Sequence, residues 1–325
     1  MTTLDTDVLI TGAGPAGLTL AGELRLAGIR TTVVERHPAR PGHNRGFTLN
    51  ARSLDLLARR GPAGPVRKLA GIAFPGTAAT AYQLLGDVVL ADPGALSVGV
   101  NTGPGGSVLV IRRPGYVRVV TEDPAPPADR DVPVTLGELQ AAVDAAVGRH
   151  VELRDPLWLS RFGDAARQAA RYRAGRVLLA GDAAHVHPPA GAIGVSAAVD
   201  DAVNLGWKLA AAVRGTAPAG LLDSYHAERH AAGAALLANT MAQALLSGTG
   251  PELDPLKDLL ARLAARPDAN RALAETLTFL DTAYDMHAAE PGVHPWLGRL
   301  VPDLRLNTRD GAARLSGLQT MNRRP

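Results

Sequence analysis

The sequence predicts an α/β chain: a parallel, helix-covered sheet first, an antiparallel sheet in the middle, and helices towards the end. Three observations predict it. Val8-Leu9-Ile10, a glycine-rich turn, the largely apolar stretch from Pro15 to Ala27 and Thr32-Val33-Val34 read as a β-α-β unit, with Gly28 as the helix stop. Strands that look apolar on both faces and alternate with a helix indicate a parallel sheet covered by helices. Between residues 81 and 122 the runs YQLLGDVVLA, ALSVGV, SVLVIRR and YVRVVTE are short and β-rich, the middle two separated by NTGPGG, which suggests an antiparallel sheet. Residues 221 to 288 are rich in Ala and Leu and read as helices, and 302 to 325 is polar with little periodicity.

The remaining elements follow in order. TLNARSLDLLARR, residues 48 to 60, has Leu49, Leu54 and Leu57 near helical spacing, and Gly61-Pro62-Ala63-Gly64-Pro65 breaks it. After the link DPAPPADRDVP, Thr135-Leu136-Gly137-Glu138 is a capping-box pattern that opens a helix through about Val147. RVLLAGDAAH, residues 176 to 185, reads as a buried apolar strand ending in Gly-Asp, and a helix follows from Ser196 to Arg214 with Gly215 as its stop. Val199, Val203, Trp207, Ala210 and Val213 fall on one face of that helix.

Composition narrows the class. The 34 Lys+Arg against 31 Asp+Glu leave a net charge of only +3, and the 31 Arg and three Lys (Lys68, Lys208, Lys257) are scattered, so little points to nucleic acid or an anionic membrane. No run approaches the roughly 18 apolar residues of a membrane span, and the N-terminus carries acidic residues where a signal peptide has basic ones, so a cytoplasmic location is expected. The chain has no cysteine, which removes disulfides and thiol chemistry.

Gly12-Ala13-Gly14-Pro15-Ala16-Gly17 fits the Gly-x-Gly-x-x-Gly pattern directly after a strand and at a helix start. One glycine makes the tight turn, one lets the backbone approach a pyrophosphate, one lets helix pack on strand, and the helix N-terminus faces the anion. Glu35 ends the second strand 18 residues after Gly17, where a carboxylate accepts hydrogen bonds from a ribose diol. This combination specifies a dinucleotide without saying whether it is FAD or NAD(P). In the second motif, Gly181-Asp182-Ala183-Ala184-His185, an Asp at a strand end suits a polyol hydroxyl such as the ribityl chain of a flavin. The loop Gly191-Ala192-Ile193-Gly194 then leads into a helix whose positive N-terminal end would stabilise the negative charge of a reduced isoalloxazine.

Together these segments resemble the FAD-dependent aromatic hydroxylases of the para-hydroxybenzoate hydroxylase superfamily, nearest to the rifampicin monooxygenase and polyketide-tailoring hydroxylase branch. The likeness rests on DVLITGAGPAGLTLAGELRLAGIRTTVVER, RGFTLNARSLDLL, WLSRFGDAARQAARYRAGRVLLAGDAAHVHPP, DAVNLGWKLAAAV and LLDSYHAERH, and runs from about residue 5 to 245. It implies a Rossmann-like FAD-binding domain of the glutathione-reductase type, an antiparallel β-sheet substrate domain and C-terminal helices. The implied division is FAD-binding residues 1–80 and 161–245, a β-rich substrate domain 81–160, helices 246–300 and an irregular tail 301–325. The resemblance further implies that Gly12, Ala13, Gly14, Pro15, Ala16 and Gly17 hold the FAD pyrophosphate, and that Glu35, with Arg36 beside it, holds the adenosine ribose. Arg45 would lie near the flavin or pyrophosphate, Gly181 and Asp182 at the ribityl and phosphate region, and Pro189, Gly191, Ile193, Gly194, Val195 and Ser196 along the isoalloxazine. The implied reaction uses NADPH to reduce FAD and O2 to hydroxylate a bulky phenolic or polyketide-type ring, with no metal and no protein nucleophile.

The chain also departs from the family pattern. Val66-Arg67-Lys68-Leu69-Ala70-Gly71-Ile72 matches the downstream half of a third family signature, but Gly61-Pro62-Ala63-Gly64-Pro65 stands where its Asp-Gly is expected. Arg60 runs almost directly into Val66, so the resemblance implies an internally shortened chain, and one that stops where longer relatives carry a thioredoxin-like domain. The usual Gly-Gly-Gln-Gly-Leu-Asn loop reads Gly191-Ala192-Ile193-Gly194-Val195-Ser196, with Ser196 left to cap the helix. Two other functions therefore stand beside the monooxygenase: a shortened relative that binds FAD weakly or not at all and is inactive, and an NAD(P)-dependent dehydrogenase resting on the first glycine motif alone.

Several residues receive plain structural expectations. His185, His187 and Asp182 are not expected to form a metal site, and His226 and His230 are expected on a surface helix with internal pairing. Asp200-Asp201 is expected to be a solvated helix turn, Trp207 to pack in the core, and Arg112-Arg113 to be strand-edge charges.

Overall fold

A computed structural model describes residues 6–35, 63–128, 132–248, 250–286, 294, 296–299, 301, 303–308 and 311–315. The chain divides into two compact units. One comprises Met1–Pro75, Arg167–Gln243 and Leu256–Pro325; the other comprises Gly76–Ala166 and Ala244–Pro255.

In the first unit, β1 (Val8–Thr11), α1 (Pro15–Leu26) and β2 (Thr31–Val34) form the expected β-α-β unit, and β1 pairs with β2 in parallel from Val8↔Thr31 to Thr11↔Val34. Pro15 opens α1 where its missing N–H has no intrahelical partner, and Gly28, in the left-handed region at φ +70°, closes it. Ile10, Leu20, Leu24 and Ile29 are buried in one cluster with Leu179, Ala184, Leu205 and Tyr225. Leu9 and Val34 remain 60% and 41% exposed, so among the described residues these strands are not buried on both faces as the sequence suggested.

A helix α2 (Ala63–Leu69) starts inside the stretch read as a break; the stretch 48 to 60 lies outside the described residues. β3 (Gly76–Thr77) then opens the second unit. Its sheet contains β4 (Tyr82–Leu90), β5 (Gly99–Gly103), β6 (Gly106–Arg113), β7 (Tyr116–Glu122) and β8 (Leu153–Gly163), all antiparallel in the order β5-β6-β7-β4-β8. The second of these strands begins later than ALSVGV suggested. The Asn101 side chain folds back to accept from Ser97 N–H at 2.9 Å and to donate to Ser97 C=O at 2.7 Å, so the chain turns there before the ladder begins. Consequently Asn101-Thr102-Gly103 belongs to β5 rather than to the turn.

Thr135 caps α3 (Leu136–Val147) with the full capping box, its side chain accepting from Glu138 N–H while Glu138 accepts from Thr135 N–H. Leu139, Ala142, Val143 and Ala146 of α3 pack with Leu84, Val88, Val108, Val110 and Val119 of the sheet. Each fully buried Leu or Val here contributes about 1.5–3 kcal/mol relative to exposure. On the sheet's opposite face Asp87 and Arg118 lie directly across the β4–β7 ladder as a fully buried, two-pronged ion pair, 2.7 and 2.8 Å, with Arg118 5.2 Å from the Trp158 ring.

The chain returns to the first unit within β9 (Ala166–Gln168), and β10 (Arg173–Ala174), β11 (Val177–Leu178) and β12 (His185–Val186) follow, then α4 (Gly194–Val213), and α5 (Leu221–Leu246), which runs past that unit's boundary. The expected strand over 176 to 185 shrinks to β11. Among the described residues its ladder is a two-residue antiparallel one with β10, and Gly181–Ala183 already turns as a 3-10 helix. α6 (Asp254–Ala264) and α7 (Pro267–Leu277) follow, and the stretch read as an aperiodic tail carries a hairpin of β13 (Arg305–Thr308) and β14 (Gly311–Arg314).

Of the apolar stripe expected to pack, α4 buries Ala210 but leaves most of its larger members exposed. Val203, Trp207 and Val213 are 41%, 53% and 39% exposed, whereas Ala198, Ala202, Leu205 and Gly206 face inward. A Cβ at Gly206 would lie 2.6 Å from Glu23 Cβ of α1, so the buried side is the one small enough for α1 to approach. Among the described residues no helix is long and apolar enough to cross a membrane.

Candidate functional site

The first motif folds as its chemistry requires. Gly12 sits at φ +105° with open space where a side chain would be, and a Cβ at Gly17 would collide with the carbonyl oxygen of Gly12, so the third glycine lets α1 approach the turn. Gly14 is the N-cap of α1, and no side chain caps the helix, which leaves its first N–H groups to an incoming anion. Ala13 N–H donates to Glu35 Oε2 at 2.9 Å, tying the end of β2 to the glycine loop. Arg36 and Arg45 lie outside the described residues.

The second motif meets the first. Gly181, at φ +58°, has so little room that a Cβ would lie 3.1 Å from Ala16 Cβ in α1 and 3.3 Å from Ala198 Cβ in α4. Three segments distant in sequence, 12–17, 181–182 and 194–198, thus converge on one glycine. Next to it, the Asp182 side chain is exposed, with enough protein around it to desolvate its carboxyl. That crowding pushes its carboxyl up to about 6, against the opposing pull of His185. Arg67 of α2 donates to Ala183 C=O at 2.8 Å and stacks 3.9 Å from the Phe74 ring, so the retained part of the third signature buttresses this loop.

The isoalloxazine-lining candidates form an irregular entry to α4. Ala190–Ala192 is a 3-10 turn with Gly191 at φ +71° and Ala192 at φ +54°, both left-handed. Ile193 is the N-cap and supplies no side-chain bond, so Ser196, already inside the helix and exposed, does not cap it. Ile193 and Val195 are buried, while Pro189 and Gly191 are exposed. His187 Nδ1 donates to Pro188 C=O at 2.7 Å; burial pushes its imidazole down to about 4, keeping it neutral, and its ring fills the space beside Gly194.

Several expectations fail around this loop. Asp201 is not solvated. It is completely buried, with Oδ2 accepting from Gly181 N–H and meeting His185 Nε2, both at 2.9 Å, and Oδ1 accepting from Arg229 Nε at 2.7 Å. These donors hold its carboxyl below the usual range against desolvation. Asp200, its neighbour, does face solvent. His226 and His230 are half-buried against Tyr172 rather than on a free surface, although their rings do pair, 4.9 Å apart. Trp207 is exposed because its side of α4 faces away from α1. Among the described residues no group of His, Cys, Asp and Glu has metal-binding geometry.

Sequence reasoning missed Asp201 as a buried group and gave Arg229 and Tyr172 no role, while Arg67 was placed in the third signature without its contact to Ala183. One signal was present: Asp201 shares the 198-202-205 stripe of α4, and Arg229 the 225-232-236 stripe of α5, both buried.

The uncapped glycine turn, the exposed Asp182 carboxylate and the uncapped α4 N-terminus are of the donor and acceptor types that the pyrophosphate, polyol and ring of an FAD would need. A family model described as "FAD binding domain" matches residues 5–63 and 60–240, two segments that meet where the third signature is cut short. The chain is 34% identical to an anhydrotetracycline monooxygenase of Streptomyces rimosus, over 95% of this chain and 82% of that protein. It is 32% identical to a rifampicin monooxygenase of Streptomyces venezuelae, over 92% and 83%. These alignments extend over 421 and 406 residues, more than the 325 of this chain, so the relatives carry residues that have no counterpart here. Among solved structures, BexE, studied for oxidation during BE-7585A biosynthesis, superposes with a TM-score of 0.84 at 38% identity, covering 97% of this chain and 84% of that one.

Proposed function

The chain belongs to the FAD-binding family of flavin-dependent monooxygenases, and on that premise we propose that it hydroxylates a bulky aromatic, polyketide-type substrate in the cytoplasm. The observation that carries this reading is the convergence of residues 12–17, 181–182 and 194–198 on Gly181. The dehydrogenase reading leaves the second and third of these segments unexplained.

In the proposed assignment Gly12, Ala13, Gly14, Pro15, Ala16 and Gly17 bind the pyrophosphate through backbone N–H groups and the α1 N-terminus. Glu35, aided by Arg36, accepts from the adenosine ribose, while Arg45 lies near the flavin or pyrophosphate. Gly181 lets the chain turn closely enough for Asp182 to accept from the ribityl hydroxyls. Pro189, Gly191, Ile193, Gly194, Val195 and Ser196 line the isoalloxazine, and the α4 N-terminal dipole offsets negative charge there. Residues 81–160 form the substrate domain. When bound, FAD supplies the redox chemistry, with electrons from NADPH and the oxygen atom from O2. The chain's own part is to orient the ring system and exclude water.

The test is incubation with FAD, NADPH, heavy-isotope O2 and a panel of phenolic polyketides, read by mass spectrometry. Incorporation of one labelled oxygen atom, with substrate-stimulated NADPH oxidation, is the expected result. The alignments that outrun the chain favour a second reading, a shortened relative that binds FAD weakly or not at all and is inactive; it predicts weak or no FAD uptake and no substrate-stimulated NADPH oxidation.

A further inference from the structure

Asp201 is a carboxylate with no solvent exposure, on the buried side of α4 together with Asn204, Lys208 and a set of alanine, leucine and glycine residues. Burying a charge is costly, and a buried ion pair often gives no more stability than apolar residues of the same volume. Its position is therefore better explained by what it holds in place than by the energy it adds.

What it holds is one loop. A single oxygen, Oδ2, accepts from Gly181 N–H and contacts His185 Nε2, each at 2.9 Å, so both ends of the segment 181–185 are pinned to the same atom. With its Nε2 proton given to a carboxylate, His185 keeps a buried Nδ1 that has no partner among the described residues, so the ring is set by this contact. Gly181 is held in its left-handed turn, and Asp182, between the pins in sequence, is exposed. The other oxygen is fixed from α5, where Arg229 donates to Asp201 at 2.7 Å, to Tyr284 Oη at 2.9 Å and to Ala197 C=O at 3.3 Å. The carboxylate thus has all three surrounding donors engaged, and α4 and α5 together fix its position.

We propose that Asp201 is a positioning residue that clamps the 181–185 loop so that Asp182 is presented to the polyol of the FAD. The inference rests on the FAD reading above and adds that Asp201 acts through Asp182. Outer partners of ligand-binding groups in metal sites change affinity about 10- to 100-fold, and an effect at the low end of that range is expected here.

The test is a double-mutant cycle on FAD affinity, with Asp201→Asn, Asp182→Asn and the double variant titrated by quenching of FAD fluorescence. If Asp201 works through Asp182, each single change weakens binding roughly tenfold and the double variant is no weaker than Asp182→Asn alone. Losses that multiply overturn the proposal, because a merely structural defect adds to whatever Asp182 does. Hydrogen–deuterium exchange on the FAD-free chain supplies a second readout. Asp201→Asn speeds exchange in 179–186 and leaves β4 at 82–90 unchanged; an unchanged loop, or equal loosening of both segments, contradicts the clamp. Should Asp201→Asn fail to accumulate folded, His185→Gln, which cuts one of the two pins, carries the same cycle and the same exchange measurement. Wild-type protein that binds no FAD refutes the FAD reading instead, while the exchange result still decides whether Asp201 clamps the loop.

Discussion

The two units are built on different terms. The sheet unit buries a continuous apolar cluster between α3 and its strands, with β4 laddered on both sides, and its buried charges include the Asp87–Arg118 and Arg161–Asp123 pairs. Among the described residues the nucleotide unit has a two-stranded parallel sheet, exposed Leu9 and Val34, helices that meet through alanine and glycine, and a buried hub at Asp201 that reaches into a loop. The first kind of interior stabilises by removing apolar area from water. The second spends interior volume on polar groups that fix where other groups stand, so its changes register in ligand binding as well as in stability.

The largest test of this contrast is in the sheet unit. Asp87→Ala leaves the Arg118 guanidinium buried without its partner and is expected to cost about 3–5 kcal/mol by chemical denaturation. Replacing both residues with apolar ones of similar volume is expected to be close to neutral. A loss below about 1 kcal/mol for the single change would mean that Arg118 reaches water when unpaired and that the pair is not an interior feature.

Gly17→Ala comes next. Its added methyl meets backbone rather than a yielding side chain, so a loss of about 1–3 kcal/mol together with loss of FAD binding is expected. Intact affinity would remove the glycine turn from the site.

Smaller effects come from pH. The Asp182 carboxyl, raised from 3.8 to about 6, holds a proton in the folded state that the unfolded chain gives up, so its contribution to stability is complete below pH 3.8 and lost as pH rises through 6. Asp182→Asn should therefore gain on the wild type as pH rises across that window, modestly because the group is open to solvent. His187, lowered from 6.5 to about 4, works with opposite sign: its contribution is present above 6.5 and lost as pH falls towards 4. His187→Gln should gain on the wild type as pH falls through that range. Thermal melts of the FAD-free proteins from pH 4 to 7 check both signs.

The smallest stability change belongs to Glu35→Gln. The residue is exposed, so stability should stay within about 0.5 kcal/mol while FAD affinity falls severalfold. Equal affinity would take the ribose contact away from Glu35.

The elements legible in the sequence are those whose signal is local. The β1-α1-β2 unit is written in contiguous apolar runs with a proline at one helix end and a glycine at the other, and α3 in the Thr135–Glu138 box. β8 was not legible, because Arg154, Asp155, Pro156 and Arg161 read as loop chemistry. The strand tolerates them through a register shift opposite β4, where Asp155 takes φ +47°. Stripe reasoning on α4 chose the larger apolar residues, but packing against α1 depended on how near the helices could come, a property of small residues. In the candidate site, the glycines and Asp182 were visible as motifs with spacing. Asp201 and Arg229 were not, since their roles arise from a contact between helices 28 positions apart in sequence.

The central claim is that this chain carries a working FAD site, and the flavin content of the purified protein tests it most directly. The account predicts a yellow protein, or a colourless one that takes up one FAD per chain on addition, whose flavin absorbance bleaches with NADPH under anaerobic conditions and returns with O2. A colourless chain that takes up no FAD at any concentration would contradict it.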